Sequence, residues 1–257
     1  MGSLIQVESL MPGVSILTLA RSEQRNALSI DLLDQFCSAI DGLTAQSDQR
    51  VVILRGAGPV FSAGLDLREA ADEKKVERSA ASVGRALDLL RQTPLVSIAA
   101  VHGGAYAGGA GLMATCDIVI ATDDSRFGFP EARRGLLPAL ICKTLRSRIR
   151  EGDLRDLLLT GEIITAARAL HVGLVQRVVP ANQLMDEARR VAEQILDGGP
   201  ETIRQTRKLL NQMFEGGLSK NLLDELHLSA RRGDEAREGL AAFSEKRVPS
   251  WSRERST

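Results

Sequence analysis

The pattern of apolar and polar positions divides the chain into two regions. In the first region, four short, β-branched apolar runs predict strands at residues 14–20, 51–54, 95–101 and 118–121. Between these runs, apolar residues recur at helical spacing over residues 29–43 and 82–91. Strands that alternate with helices predict an α/β fold whose sheets are covered by helices.

In the second region, after about residue 180, the strand pattern disappears. Amphipathic helices are predicted at residues 184–196, 200–214, 218–232 and 234–246, separated by Gly, Pro or Asn. We therefore predict a core domain over residues 1–190 and a C-terminal helical subdomain over residues 191–257, suited to oligomerisation. The pattern shows no internal repeat and no low-complexity segment.

Composition narrows the classes of partner. The 257 residues are 44% hydrophobic, enough for a large core, and 33 basic residues balance 33 acidic ones. No overall field attracts nucleic acid or an anionic membrane, and the longest apolar stretch, residues 95–101, is too short to cross a bilayer. The three separated cysteines and an N-terminus without a signal pattern predict a cytoplasmic protein. A small-molecule substrate is the favoured partner.

Common cofactor and metal motifs fail on spacing. The glycines from Gly103 to Gly108 resemble a phosphate loop, but Gly109 and Ala110 follow where Lys and Ser/Thr are required. The dinucleotide fingerprint also fails, at its third glycine. No histidine has a cysteine or carboxylate at metal-ligand spacing, so no metal is predicted.

A cluster of five glycines directly follows the predicted strand at residues 95–101 and precedes an apolar, helix-like run at residues 112–116: Gly103, Gly104, Gly108, Gly109 and Gly111. Glycine permits tight turns and close packing, which is a sufficient explanation for the cluster alone. The alternative is that unobstructed amides at a helix start bind a developing oxyanion. A loop over residues 61–67, after the strand at residues 51–54, offers a second amide for the same purpose.

Four segments then resemble, in order and spacing, the signatures of the enoyl-CoA hydratase/isomerase, or crotonase, superfamily. They are FSAGLDL at residues 61–67, IAAVHGGAYAGGAGL at 98–112, CDI at 116–118 and FGFPE at 127–131. Each is weak alone, but the ordered set is specific and spans roughly residues 5–250. The resemblance implies a spiral of repeated ββα units with a C-terminal helical subdomain, and a homo-trimer or hexamer. It also implies an acyl-CoA thioester substrate, with coenzyme A as part of the substrate and no separate cofactor.

The resemblance also implies roles for individual residues. The thioester carbonyl is expected to accept hydrogen bonds from the amides of Leu65 and Gly108, and Glu131 is the expected catalytic carboxylate. Taken alone, Glu131 is better explained as an exposed acid at a helix start. Further substrate contacts are expected from Ala63 near the adenine, from the adjacent Gly64, from Arg25 and Arg68 at the CoA phosphates, from Gly111 at the acyl group, and from Lys246, serving a neighbouring subunit. Phe129 is expected either to line the acyl pocket or to belong to the core.

One departure from the family pattern matters for the reaction. The best-known hydratases carry two glutamates, and this chain has Gly111 at the first position and Glu131 at the second. We predict hydration of a 2-enoyl-CoA with a branched or carboxylated acyl chain, such as methylglutaconyl-CoA. The alternatives are an isomerase that moves a double bond from the 3 to the 2 position with the same glutamate, and a catalytically silent acyl-CoA-binding protein.

Overall fold

The computed structural model describes residues 2–252, apart from the side chains of residues 214 and 215. These residues form two compact units that divide between Arg189 and Arg190. No described helix is long and apolar enough to cross a membrane.

The first unit contains nine strands. They are β1 (Ile5–Met11), β2 (Val14–Leu19), β3 (Val51–Gly56), β4 (Val96–Val101), β5 (Gly104–Tyr106), β6 (Ile118–Thr122), β7 (Arg126–Gly128), β8 (Ile163–Thr165) and β9 (Arg177–Val179). A six-stranded sheet has the order β1-β2-β3-β4-β6-β9, and a three-stranded sheet has the order β5-β7-β8. Strands β2, β3, β4, β6 and β9 run parallel, whereas β1 is antiparallel to β2.

Helices cover these sheets and form the second unit. In chain order they are α1 (Ile30–Thr44), α2 (Leu67–Ala70), α3 (Val76–Gln92), α4 (Gly108–Thr115), α5 (Ala139–Arg146), α6 (Glu151–Thr160), α7 (Ala166–His171), α8 (Leu184–Leu196), α9 (Pro200–Gly216), α10 (Lys220–Arg232) and α11 (Asp234–Glu245).

The four strands predicted from sequence are the central ones of the large sheet. Strands β2 and β4 are buried along their whole length. A parallel strand that is covered on both faces has a continuous apolar sequence, which is why these strands could be predicted. The strands missed from sequence lack this signal. Strand β1 is mostly exposed, and β5, β7, β8 and β9 have three residues each, too few to show a period.

The chain repeats one ββα turn along the sheet. Strand β4 is followed by β5 and α4, and β6 is followed by β7 and α5. After β3, Ser62 forms an isolated parallel bridge with Ala105, in the place of a small-sheet strand, and α2 follows. The expected spiral of ββα units is thus confirmed, although the sequence shows no repeat, because the turns share backbone geometry rather than residues.

Two helices of the first unit differ from their predicted bounds. Helix α3 begins at Val76, six residues before the predicted start, and buries Val83, Leu87 and Leu90 along one face. Helix α4 begins at Gly108, whereas the apolar run had suggested a start at Leu112. Glycine is a poor helix former, so the sequence hid the start of α4, and tertiary packing overrides that propensity.

The second unit has the helices predicted from the periodic pattern. Glu235, in the first turn of α11, accepts hydrogen bonds from the amides of Glu201 (2.7 Å) and Thr202 (2.8 Å), which caps the start of α9. Ser219 caps α10 by accepting from the amide of Leu222 at 3.3 Å. These caps explain why short helical segments have sharp boundaries here.

Candidate active site

The loop after β3 is held by buried polar side chains. Asn26 adopts a left-handed conformation (φ 53°), and its Nδ2 donates to three loop carbonyls, those of Ala57 (2.8 Å), Val60 (2.9 Å) and Phe61 (3.1 Å). The Ser62 hydroxyl donates to the Asn26 carbonyl at 2.8 Å and accepts from the Gly64 amide at 3.2 Å. The backbone of residues 61–64 is therefore fixed before any ligand binds.

This loop leaves the Leu65 amide directed away from its neighbouring strand. Leu28 and Leu65 form a parallel bridge, in which the Leu28 amide donates to the Gly64 carbonyl (2.8 Å) and the Asp66 amide donates to the Leu28 carbonyl (3.2 Å). In this parallel bridge, Leu28 bonds to the two residues that flank Leu65 and not to Leu65 itself. The N–H of Leu65 therefore points away from Leu28. The Leu65 amide is thus available to a ligand.

The second available amide begins α4. Ala107, the residue before the helix, has φ 48° and ψ −126°, a conformation that costs a non-glycine residue about 1–3 kcal/mol. Its amide donates to the Gly128 carbonyl (2.9 Å), and its carbonyl accepts from the Gly111 amide (3.0 Å). Gly108 is the first helical residue, so its amide has no partner within the helix.

These two amides lie on adjacent stretches of backbone. A Cβ atom built on Gly64 would lie 3.4 Å from the Gly108 nitrogen, and one built on Gly108 would lie 3.5 Å from Leu65 Cδ2. Among the hydrogen bonds of residues 2–252, neither the Leu65 nor the Gly108 amide has an acceptor. Two neighbouring unpaired N–H groups are what a receptor for a carbonyl oxygen that gains negative charge requires.

Glu131 occupies the position between β7 and α5. Phe127 and Phe129, both fully buried, anchor the chain in the core immediately before Glu131, which precedes the 3-10 turn Ala132–Arg134. The Glu131 residue is only 7% exposed, and its Oε2 has no hydrogen-bond partner among the described residues. The explanation of Glu131 as an exposed acid at a helix start, which residue type alone suggested, is therefore wrong.

Burial also changes the pKa of the Glu131 carboxyl. Removal from water raises the pKa of the Glu131 carboxyl above its ordinary value, and only its own amide and the nearby Arg134 oppose this effect. A carboxyl whose pKa is moved toward neutrality can both accept and return a proton at physiological pH.

Two cavities meet at Glu131. The polar cavity, of about 350 Å³, has Arg21, Gln24, Ala63, Asp66, Arg68 and Arg134 in its wall. The apolar cavity, of about 280 Å³, is lined mainly by hydrocarbon from α3, α5 and the segment before α5, including Val76, Val83, Leu137, Leu140 and Ile141. Leu65, Glu131 and Leu136 belong to both walls. A ligand that fills both cavities places its middle atoms against Glu131 and the Leu65 amide.

The polar cavity carries net positive charge. The Arg21 guanidinium donates to Asp66 at 2.6 Å and to the Ala27 carbonyl at 3.0 Å. Burial opposes ionisation of Asp66, but the hydrogen bonds from Arg21 and the Arg68 amide outweigh it, and the pKa of Asp66 lies below its ordinary value. Within residues 2–252, Arg68 and Arg134 form no salt bridge, so both cations are available to an anionic ligand.

Comparison with known proteins identifies the chain. The family model described as enoyl-CoA hydratase/isomerase matches residues 10–254. The chain belongs to the enoyl-CoA hydratase/isomerase family. The protein of Mycobacterium tuberculosis named "Probable enoyl-CoA hydratase echA8" is 37% identical over 242 residues, covering 93% of this chain and 94% of that relative. The mouse "Enoyl-CoA hydratase domain-containing protein 3, mitochondrial" is 32% identical, and the match covers 93% of this chain and 82% of the mouse protein.

Solved structures agree with this assignment. The crystal structure of an enoyl-CoA hydratase from Bacillus anthracis has a TM-score of 0.91 and 32% identity, covering 98% of this chain and all of the other. DspI of Pseudomonas aeruginosa also has a TM-score of 0.91, with 30% identity and 97% of each chain covered. The crotonase fold predicted from the ordered segments is confirmed.

The structure of this family member brings together five of the ten residues selected from sequence. Leu65 and Glu131 line both cavities, Gly108 lines the apolar cavity, and Ala63 and Arg68 line the polar cavity. Gly64 lies behind the cavity walls, where its φ of +92° and the Tyr106 carbonyl, 2.7 Å from a built Cβ, permit no other residue. Its role is to let the two amides approach.

Other selected residues lie elsewhere. Phe129 has no exposed surface and packs in the core, so its predicted contact with substrate is corrected to an anchoring role. Arg25 is exposed and left-handed, and is absent from the described walls of both cavities. Gly111 is covered by Ile141 rather than open to the apolar cavity. Lys246 is an exposed residue of the second unit, at the left-handed end of α11.

The glycine cluster has two different explanations. Gly103 has φ +62°, and a Cβ there would lie 2.0 Å from the Pro59 carbonyl oxygen; a Cβ on Gly109 would lie 2.5 Å from Ser62 Oγ. Both glycines are required by close packing. Gly108 has only ordinary contacts at its Cβ position, so its contribution to the site is its amide.

Sequence reasoning missed Arg21, Arg134 and Ile141. Arg21 and Arg134 sit in polar stretches that look like ordinary surface, and only the tertiary fold brings them to one cavity. Ile141 is an apolar residue in an amphipathic helix, a pattern that predicts core. Within the described part of the chain, no group of three or more His, Cys, Asp or Glu side chains is arranged to hold a metal ion.

Proposed function

We propose that the chain is an enoyl-CoA hydratase, which adds water across the 2,3 double bond of a 2-enoyl-CoA thioester. The observation that carries the proposal is that the buried Glu131 carboxyl lines the apolar cavity together with Leu65 and Gly108, whose neighbouring amides are unpaired, at the place where the polar and apolar cavities meet. The curated relatives described above carry the name enoyl-CoA hydratase, which supports the same activity.

The two amides polarise the substrate. The thioester carbonyl oxygen accepts hydrogen bonds from Leu65 and Gly108, and negative charge moves onto it as the β-carbon becomes electrophilic. Each preorganised donor contributes about a factor of 10²–10³ in turnover, because it requires no reorganisation when the charge develops. The polar cavity takes the phosphates of coenzyme A, with Arg68 and Arg134 as free cations.

Glu131 supplies both proton transfers. The ionised carboxylate takes a proton from water, and the resulting hydroxyl oxygen bonds to the β-carbon as the 2,3 π electrons move toward the thioester carbonyl. The protonated carboxyl then returns a proton to the α-carbon, and the enolate collapses to the 3-hydroxyacyl thioester. The net change is one water added, with Glu131 regenerated. Its raised pKa suits both steps.

The apolar cavity supports an uncharged acyl chain. Its described wall contains no lysine, arginine or histidine, and Glu131 already contributes a carboxyl there. A carboxylated chain such as methylglutaconyl-CoA would bury a second anion without a partner, which is costly. We therefore propose an aliphatic chain, straight or branched, over the carboxylated alternative.

A second candidate, isomerisation of a 3-enoyl-CoA to a 2-enoyl-CoA, is favoured by one observation. Glycine at position 111 leaves Glu131 as the only carboxylate in the described wall of the apolar cavity. A double-bond shift needs one group that removes a proton from the α-carbon and returns it to the γ-carbon, and it needs no bound water.

Turnover in oxygen-18 water separates the candidates. A hydratase acting on a 2-enoyl-CoA places the label on the β-carbon of a 3-hydroxyacyl-CoA. An isomerase acting on a 3-enoyl-CoA yields 2-enoyl-CoA with no oxygen uptake. Mass spectrometry of both products, with Glu131→Gln as the control, decides the outcome; isomerised product without label would overturn the hydratase assignment. Product from neither substrate would indicate a silent acyl-CoA-binding protein.

Assembly and location remain predictions. We propose a homo-trimer or hexamer, supported by the exposed apolar side chains of the second unit, such as Leu240 (68% exposed) and Phe243 (85%). Lys246, in the same unit, keeps its proposed role toward a neighbouring subunit's substrate. The relatives include proteins named as mitochondrial, and the cytoplasmic location proposed here rests on the sequence alone.

A further inference from the structure

The contact between Gly111 and Ile141 determines the shape of the site beside Glu131. A Cβ atom built on Gly111 would lie 2.2 Å from Ile141 Cγ2 and 2.9 Å from Ile141 Cβ. Both distances are shorter than real contacts, and a β-branched side chain has little rotamer freedom with which to withdraw. Position 111 therefore accepts no side chain while Ile141 keeps this place.

Ile141 is part of the reacting wall. It is 3% exposed, it lies in the first turn of α5, and it lines the apolar cavity together with Gly108 and Glu131. It therefore covers the face of α4 from which a side chain at position 111 would emerge. The space beside the reacting carbons is filled by a branched hydrocarbon fixed to α5.

We propose that Ile141 is the specificity-determining residue of this site: it fills the volume over Gly111, holds the site to a single carboxylate, and limits the bulk at the β-carbon of the acyl chain. This inference rests on the proposed acyl-CoA function. The steric part concerns only the fold, so it is tested separately from catalysis.

The steric part predicts that the effect of Gly111→Ala on the Tm changes sign when the Ile141 side chain is removed. Alanine is the best helix former, so Gly84→Ala in α3, where nothing lies within 4 Å of the Cβ position, should raise the Tm by about 2–4 °C. Gly111→Ala, also inside a helix, should lower the Tm because of Ile141. In the Ile141→Gly background, Gly111→Ala should instead raise the Tm, as Gly84→Ala does. A rise for Gly111→Ala in the wild-type background would overturn the steric pairing.

The specificity part is read by binding, which requires no turnover. Isothermal calorimetry compares butanoyl-CoA with 3-methylbutanoyl-CoA on the wild type and on Ile141→Ala. The variant should improve the relative affinity for the branched ester by about tenfold, the value of one methyl group in a tight pocket. Ile149→Ala, a buried isoleucine outside the described walls of both catalytic cavities, should leave the ratio unchanged. An unchanged ratio in Ile141→Ala would overturn the specificity role.

The single-carboxylate part is tested by restoring the second acid. Gly111→Glu alone should lower the Tm strongly, whereas Gly111→Glu with Ile141→Gly should fold. The double variant should then hydrate a 2-enoyl-CoA with a higher kcat than Ile141→Gly alone, since two carboxylates hold the attacking water. Equal Tm values for Gly111→Glu with and without Ile141→Gly would overturn the proposal. Absence of any turnover in the wild type would overturn the proposed function while the Tm and binding comparisons still decide this inference.

Discussion

The two cavities offer a ligand different physical means of recognition, although they share part of their walls. The polar cavity offers guanidinium groups that are partly exposed, so it binds by charge in a wet environment and is sensitive to salt. The apolar cavity offers hydrocarbon, so it binds by excluding water and is sensitive to shape.

Their junction has properties that neither cavity has alone. At Leu65 and Glu131, backbone amides from the loop after β3 and the start of α4 meet a carboxyl buried by its apolar neighbours. In the proposed reaction, the reacting atoms would be held at this junction, where water is scarce and electrostatic interactions are strong. Changes at the junction should reduce turnover, changes in the polar cavity should weaken coenzyme A binding, and changes in the apolar cavity should alter chain preference.

The largest effect is expected from Glu131→Gln. The amide keeps the size of the side chain and cannot accept the proton, so kcat should fall by about 10²–10⁴-fold while KM changes little. Steady-state kinetics with a 2-enoyl-CoA provides the measurement, and Glu77→Gln on the exposed face of α3 is the matched control. Wild-type activity in Glu131→Gln would remove Glu131 from the mechanism.

Gly108→Pro should follow, with a loss of about 10²–10³-fold in turnover. Proline at the first helical position is compatible with a helix but has no N–H, so one oxyanion donor disappears. Leu65→Ala, which keeps its amide, should retain most of the activity. Circular dichroism must first show that the proline variant is folded; a folded variant with normal turnover would contradict the oxyanion site.

A pair of variants tests the contrast between the cavities. Ala80→Phe, on α3 in the wall of the apolar cavity, should lower kcat/KM for long acyl chains by about tenfold or more and leave the inhibition constant of free coenzyme A unchanged. Arg68→Ala should weaken the binding of free coenzyme A by about three- to tenfold at low salt and leave the preference for acyl-chain length unchanged. If both variants change both quantities, the cavities do not act separately.

The smallest effect expected is on stability. The pKa of Glu131 is raised in the folded state, so its contribution to stability is present below its ordinary pKa and is lost as the pH rises through the folded value. Glu131→Gln should therefore have a higher Tm than the wild type at neutral pH. The difference should shrink as the pH falls through the raised folded value and should be absent below about 4.5, the ordinary value. Thermal unfolding at several pH values checks this, and a lower Tm for Glu131→Gln at pH 7 would contradict it.

Particular residues show how far sequence reasoning reached. The central strands follow from continuous β-branched runs, and the second-unit helices follow from their apolar period, because both signals are local. The start of α4 was placed four residues late, since the fold imposes a helix on glycines that disfavour it. The sequence left Phe129 between the acyl pocket and the core, and only the structure shows that its side chain is fully buried.

By itself, the sequence determined the α/β class, the helical C-terminal region and the family, and it selected the residues proposed for the oxyanion site and the carboxyl, because ordered local segments carry these. Only the tertiary structure decided which arginines share a cavity, that Glu131 Oε2 is buried without a hydrogen-bond partner among the described residues, and that Ile141 covers Gly111. The physical reason is that burial, electrostatic environment and steric exclusion depend on groups distant in sequence, and no local pattern records which groups the fold brings together.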